Sequence, residues 1–122
     1  MAQKEEDPKH YDLEERAFAF AQRVRAFVRK LKRTICNIED GRQLVKASGS
    51  VGANYVEANE ALSKKDFRMR VRISRREAKE SRYWLRPLDT NGDESQERER
   101  QWLIGEAAER VKIFAAILHK SE

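Results

Sequence analysis

The sequence predicts an all-α protein, an antiparallel up-down-up-down four-helix bundle, and three observations lead there. Apolar residues recur at spacings of three and four along four stretches of the 122-residue chain, the period of helices with one buried face. Turn formers are scarce, at 5 Gly and 2 Pro, too few for a sandwich or barrel. Short connections separate the stretches, which favours antiparallel neighbours. Charged residues reach 39% and no run approaches the roughly 18 apolar residues of a spanning helix, which excludes a membrane protein. The segment MAQKEEDPKH lacks a signal peptide's apolar stretch. The single cysteine, Cys36, precludes an internal disulfide. A soluble, cytoplasmic protein is expected.

The first helix is expected from about Asp12 to Ile35, with Leu13, Ala17, Phe20, Val24, Phe27 and Leu31 on one face. Asp12 with Glu15 has the spacing of a capping box. Residues 1–10 are expected to form a flexible tail, and residues 11–122 the bundle. Asn37 is placed to cap the second helix, whose apolar face, Ile38, Leu44, Val45, Val51, Tyr55, Ala58 and Leu62, is thin. Within it lies the small-residue run Ala47-Ser48-Gly49-Ser50-Val51-Gly52-Ala53. Glycine inside a helix costs about 1 kcal/mol relative to alanine, so close approach of a neighbouring backbone is the natural compensation. No strand precedes this run and no GK[ST] follows, which excludes a phosphate-binding P-loop. Ser63, with Asp66 three residues on, starts the third helix, and Pro87 ends it near Arg86. Asp89-Thr90-Asn91-Gly92-Asp93 is the strongest turn signal. The fourth helix carries Leu103, Ala107, Val111, Phe114 and Leu118 to near the C-terminus.

The net charge of +5 conceals a segregation: residues 16–36 carry seven basic and no acidic side chains, and residues 63–88 carry ten basic and three acidic. On the third helix Phe67, Val71, Ser74, Ala78, Ser81 and Leu85 share a core direction. Lys65, Arg68, Arg72, Arg75, Lys79, Arg82 and Arg86 fall to one side of it. From Arg68 onward these make a stripe about 27 Å long at 1.5 Å per residue. Like charges at such spacings repel by about 0.2–0.5 kcal/mol per pair, a cost no helix needs. Either acids on the next helix, such as Glu57 and Glu60, neutralise the stripe, or it tracks a polyanion. Arg23, Arg25, Arg29, Lys30, Lys32 and Arg33 form a matching cluster on the first helix. Five of the seven stripe residues are arginine, which contacts phosphate bidentately. These twelve positions besides Lys32 are the candidate contacts to RNA or DNA. Only Tyr83 is near to stack on a base, so base-specific reading is not expected. Met69, Ile73 and Trp84 give the third helix a second apolar strip, which points to a homo-oligomer interface.

No catalytic set is apparent. Glu57-x-x-Glu60 and Glu77-x-x-Glu80 have bundle-metal spacing, but such centres use Glu-x-x-His. The two histidines, His10 and His119, lie near the ends. No metal, no cofactor and no enzymatic activity are expected. Cys36 is read as a small, semi-buried residue.

The stretches SVGANYVEANEALSKKDF (50–67) and EAKESRYWLRPL (77–88) resemble the small four-helix-bundle proteins encoded in intervening sequences of bacterial 23S ribosomal RNA genes. The similarity spans roughly residues 12–119. It implies a left-handed bundle, a barrel-like homopentamer without catalytic activity, and kinship with the accessory protein of diversity-generating retroelements. That protein binds nucleic acid and a reverse transcriptase, so docking a partner enzyme is the alternative to direct nucleic-acid binding. Asn54, Glu57, Asn59 and Glu77 match recurring family positions and are read as polar residues that fix helix packing.

Overall fold

The computed structural model of the protein describes residues 8–122. Its four helices are α1 (Pro8–Arg29), α2 (Ile35–Asn59), α3 (Lys64–Leu85) and α4 (Glu94–Lys120). They pack in cyclic order, α1 on α2, α2 on α3, α3 on α4 and α4 on α1, and across the diagonal the Tyr55 ring of α2 meets the Phe114 ring of α4 with centroids 5.5 Å apart. Side chains tie the end of one helix to the start of its neighbour. Gln96 donates to the Phe27 carbonyl at 3.1 Å, Asn59 to Glu14 at 2.8 Å, and Arg68 to the Leu118 carbonyl at 2.6 Å.

The apolar faces meet in two clusters. One joins Leu13, Ala17, Val51, Tyr55, Val71 and Phe114; the other joins Phe20, Phe27, Leu44, Leu85, Leu88 and Leu103. Each fully buried phenylalanine or leucine contributes about 1.5–3 kcal/mol of transfer free energy. Three members of the expected second-helix face lie outside this core: Ile38 is exposed, Val45 is half-buried at a surface groove, and Leu62, beyond the end of α2, is fully exposed.

The small-residue run does bring a neighbouring backbone close. A Cβ added at Gly52 would lie 3.2 Å from the Ala17 Cβ and 3.6 Å from the Ala17 carbonyl carbon on α1. At Gly49 the nearest atom would instead be the Arg25 Nη2, at 3.2 Å, the tip of a flexible side chain. Gly49→Ala is therefore expected to raise stability by about 0.5–1 kcal/mol through helix propensity. Gly52→Ala should gain nothing or lose stability. Urea midpoints at constant m-value check the pair.

Three boundaries differ from expectation. α1 begins at Pro8, so Asp12 lies inside the helix and caps nothing; the rest of the expected tail, residues 1–7, lies outside the described residues. α1 stops at Arg29, because the chain tightens there (Lys30 N–H to the Phe27 carbonyl) and Thr34 restarts a helix. Leu31 keeps the apolar period across this break and is still buried, which hides it from periodicity. Thr34, not Asn37, caps α2: its hydroxyl accepts from the Asn37 backbone N–H at 3.0 Å. The Asn37 side chain instead clamps two loops, donating to the carbonyls of Lys32 (2.9 Å) and Asp89 (3.0 Å) and accepting from the Asp89 N–H (2.9 Å).

Ser63 caps α3 as the sequence reading has it, accepting from the Asp66 N–H at 3.0 Å. Asp93, read from the sequence only as part of the turn, caps α4 by accepting from the Gln96 N–H at 3.1 Å. The turn before α4 uses positive φ at Asn91 (57°) and Gly92 (78°), conformations these two residues adopt most readily.

Candidate polyanion interface

The stripe lies on the α4 side of α3. Arg82 and Arg86 line a surface groove with Gln101 and Ile104 of α4, and Glu97 and Arg100 close its end. Val111, Ala108 and Ala115 continue the Gln101–Ile104 face along α4 by helical period, so this wall is neutral. Lys65, Arg72, Lys79 and Arg86 are exposed, and Arg75 and Arg82 are half-buried. Among the described residues, no carboxylate lies within ion-pair distance of any of these six. Neutralisation by Glu57 or Glu60 does not occur. The one carboxylate in the groove, Glu97, is taken by Arg100 at 2.8 Å and by the Thr90 hydroxyl at 2.6 Å.

Arg68 is the exception within the stripe. It donates to the Leu118 carbonyl and the Ser121 hydroxyl, each at 2.6 Å, and so caps the end of α4. Arg70, off the stripe, reaches Asn54 on α2 at 2.9 Å.

The first-helix cluster does not hold together. Residues 23 and 25 are about 200° apart on a helix. Arg23 faces α4, where it forms a two-pronged bond with Glu99 (2.8 and 3.0 Å) and stacks 3.6 Å over Trp102. The Glu99 hydrogen bond holds the Arg23 pKa above its ordinary value. Arg25 turns toward α2 and covers Gly49. Arg29 ends α1, Lys30, Lys32 and Arg33 lie in the α1–α2 connection, and all four are exposed. α1 and α3 sit across the bundle, so the two basic segments form separate surfaces rather than one.

Of the polar family positions, two bridge helices. Asn54 accepts from Arg70 while donating to Ser50, and Asn59 donates to Glu14. Among the described residues the exposed Glu57 side chain bridges nothing, and the Glu77 carboxylate meets only its neighbour Arg76, at 3.5 Å. Met69 is exposed and Ile73 half-buried, but Trp84 packs against the core and edge-on to Tyr83, so the outer strip is narrower than the sequence indicates. Cys36 is exposed in the first turn of α2. Among the described residues no three His, Cys, Asp or Glu side chains converge as metal ligands, and no helix is long and apolar enough to cross a membrane.

Two arginines on the core face of α4 carry structure that the charge pattern did not reveal. Arg100 is buried and donates to the carbonyls of Leu85 (2.8 Å) and Arg86 (2.9 Å), capping α3 from the neighbouring helix. Arg110 is fully buried and pairs with Glu106 at 3.0 Å, and Glu106 also binds Arg16 at 3.3 Å. Burial lowers the Arg110 pKa despite that pair. The Arg100 and Thr90 hydrogen bonds hold the Glu97 carboxyl below its ordinary value. A depressed carboxyl pKa adds stability above the unfolded-state value and loses it as pH falls through the folded-state value. Glu97→Gln should thus destabilise at neutral pH, and that effect should fade progressively as pH falls below the ordinary glutamate value of about 4.3, as thermal melts across pH would show.

These elements define a small helical bundle with one uncompensated basic groove. The sequence matches the 23S rRNA-intervening sequence protein family over residues 9–113, and the chain belongs to that family. It is similar to the crystal structure of a protein of unknown function from the S23 ribosomal protein family of Bacteroides thetaiotaomicron VPI-5482. The two share 25% identity and a TM-score of 0.72, over 86% of this chain and 96% of that one. No curated protein matches the chain.

Proposed function

We propose that the protein is a non-enzymatic, self-associating bundle that binds RNA or DNA along the α3–α4 groove without sequence preference. One observation carries the reading: Lys65, Arg72, Arg75, Lys79, Arg82 and Arg86 line one side of α3 without an acidic partner among the described residues, opposite a neutral α4 wall. Folding alone gains nothing from unpaired like charges at helical spacing, whereas a phosphate backbone supplies the missing counter-charge. The family's ribosomal-RNA-gene setting is consistent with an RNA ligand. Arg29, Lys30 and Arg33 lie outside the groove, at the end of the bundle where Asn37 clamps the α1–α2 and α3–α4 connections together, and are secondary contacts at most.

The test is a titration of nuclease-treated protein with duplex RNA and duplex DNA over a range of salt. Binding that weakens linearly in log–log salt is the expected result. Absence of binding at low salt overturns the reading. A stable protein complex that survives nuclease, without nucleic-acid affinity, would assign the groove to an acidic protein partner instead.

A further inference from the structure

The α3–α4 groove is blocked at one end. The connection from α3 to α4, residues 86–93, crosses it there, whereas at the start of α3 the chain leads to α2 instead. Leu88 and Thr90 of this connection are buried, and the Thr90 hydroxyl donates to Glu97 at 2.6 Å, so the barrier is anchored to the bundle. Residues 87–97 also carry four acids, Asp89, Asp93, Glu94 and Glu97, and no cation. A polyanion lying on the α3 cations therefore meets both chain and negative charge beyond Arg86. It can continue only in the direction of Lys65.

Against that barrier lies a depression of about 620 Å³ lined by Arg82, Arg86, Arg100, Gln101, Ile104 and Glu97. The bonds from Arg100 to the Leu85 and Arg86 carbonyls set Gln101 opposite Arg86 and Ile104 opposite Arg82. Arg100 is fully engaged by those carbonyls and by Glu97, and Glu97 by Arg100 and Thr90. Among the described residues the side chains of Arg82, Arg86 and Gln101 make no hydrogen bond or ion pair. Residues four apart on a helix have Cβ atoms about 5–6 Å apart, so both free guanidinium groups reach a single ligand. Farther along the stripe, each neighbouring cation can take the next phosphate of a continuing strand. At the blocked end there is no next phosphate, and two guanidinium groups are left for one group.

We infer that this depression captures the terminal phosphate monoester of a nucleic-acid strand lying in the groove. The inference rests on the nucleic-acid reading above and adds which part of the strand the protein selects. An internal phosphodiester carries one negative charge and would leave one arginine unmatched. A terminal monoester carries about −1.5 to −2 at pH 7 and three acceptor oxygens, which suits two guanidinium groups. The Gln101 amide supplies a further donor from the opposite wall, and Ile104 gives the terminal sugar an apolar surface.

The test is a binding titration of the full chain with a short blunt RNA duplex in three forms: phosphorylated at its 5′ ends, phosphorylated at its 3′ ends, and unphosphorylated. At least one phosphorylated form should bind about tenfold tighter than the unphosphorylated one, or more. That preference should shrink as pH falls through the second phosphate pKa of about 6. The charged lining groups, arginines and a glutamate held below its ordinary pKa, do not titrate there. Arg82→Gln with Arg86→Gln should erase the preference, and circular dichroism verifies that helicity is unchanged. Lys65→Gln with Arg72→Gln, at the open end, should weaken all three forms alike and preserve it. Absence of binding to every form overturns the nucleic-acid reading itself. Equal binding of the three forms, or a preference that survives the Arg82 and Arg86 changes, overturns end capture alone. Uridine monophosphate binding as tightly as the phosphorylated duplex would also overturn it, making the depression a site for a free nucleotide.

Discussion

Reversing Arg72, Arg75, Lys79 and Arg82 to glutamate is expected to lower affinity for duplex nucleic acid by at least about a hundredfold and to flatten its salt dependence. A groove that neutralises about four phosphates releases about as many counterions, so its affinity falls roughly a hundredfold between 50 and 200 mM salt. Reversal removes that release and adds repulsion. None of the four makes an ion pair among the described residues, so the bundle should remain folded, and relief of like-charge repulsion on α3 should offset part of any loss. Arg68 must be left in place, because its bonds to Leu118 and Ser121 make it a cap, and reversing it would confuse unfolding with lost binding. The control is Lys32→Glu with Lys46→Glu, which reverses two exposed cations on the α1–α2 side, neither of which makes an ion pair among the described residues. If that variant lost affinity as strongly as the α3 set, net charge rather than the groove would be responsible. Retention of affinity by the α3 set would overturn the groove.

Much of this architecture is legible in the sequence, and the gaps have identifiable physical causes. The core of α3 emerges from spacing alone because Val71, Ser74, Ala78, Ser81 and Leu85 are small or apolar at every turn and all are buried. The glycines of α2 announce a close contact because nothing else compensates their propensity cost. The end of α1 is invisible because no glycine or proline marks it and Leu31 preserves the period. Asn37 has a side chain suited both to a cap and to a loop clamp, and only the position of the α3–α4 turn decides between them. The separation of Arg23 from Arg25 was available from 100° per residue, but grouping by charge run conceals it. Arg100 and Arg110 occupy core spacing with Leu103, Ala107 and Phe114, yet a charged residue at a core position reads as an interruption of the apolar face. Their register with those neighbours was the available signal. Which cations remain unpaired depends on acids distant in sequence, such as Glu99 and Glu106, and is therefore a property of the packed bundle.

Arg100→Ala should be among the most destabilising substitutions on the surface-to-core boundary, at about 3 kcal/mol. Pro87 follows closely on α3, so the chain cannot extend that helix to satisfy its last carbonyls. Arg100 does so from α4 through one guanidinium nitrogen, which bonds both Leu85 and Arg86, while Nε and Nη2 hold Glu97. Truncation leaves the buried Leu85 carbonyl without this donor and Glu97 without its cation. For a domain of this size a loss of that magnitude lowers Tm by roughly 10–15 °C. Arg100→Met separates the contributions. It preserves most of the apolar stem, so a loss nearly as large as that of alanine would assign the effect to capping and charge. A methionine variant close to wild type would show instead that stem packing was what mattered. Because Arg100 also closes the α3–α4 groove, its loss should free Glu97 to repel a polyanion there. Arg100→Met is therefore expected to weaken nucleic-acid binding more than the removal of one surface cation would, measured at a temperature where the variant remains folded.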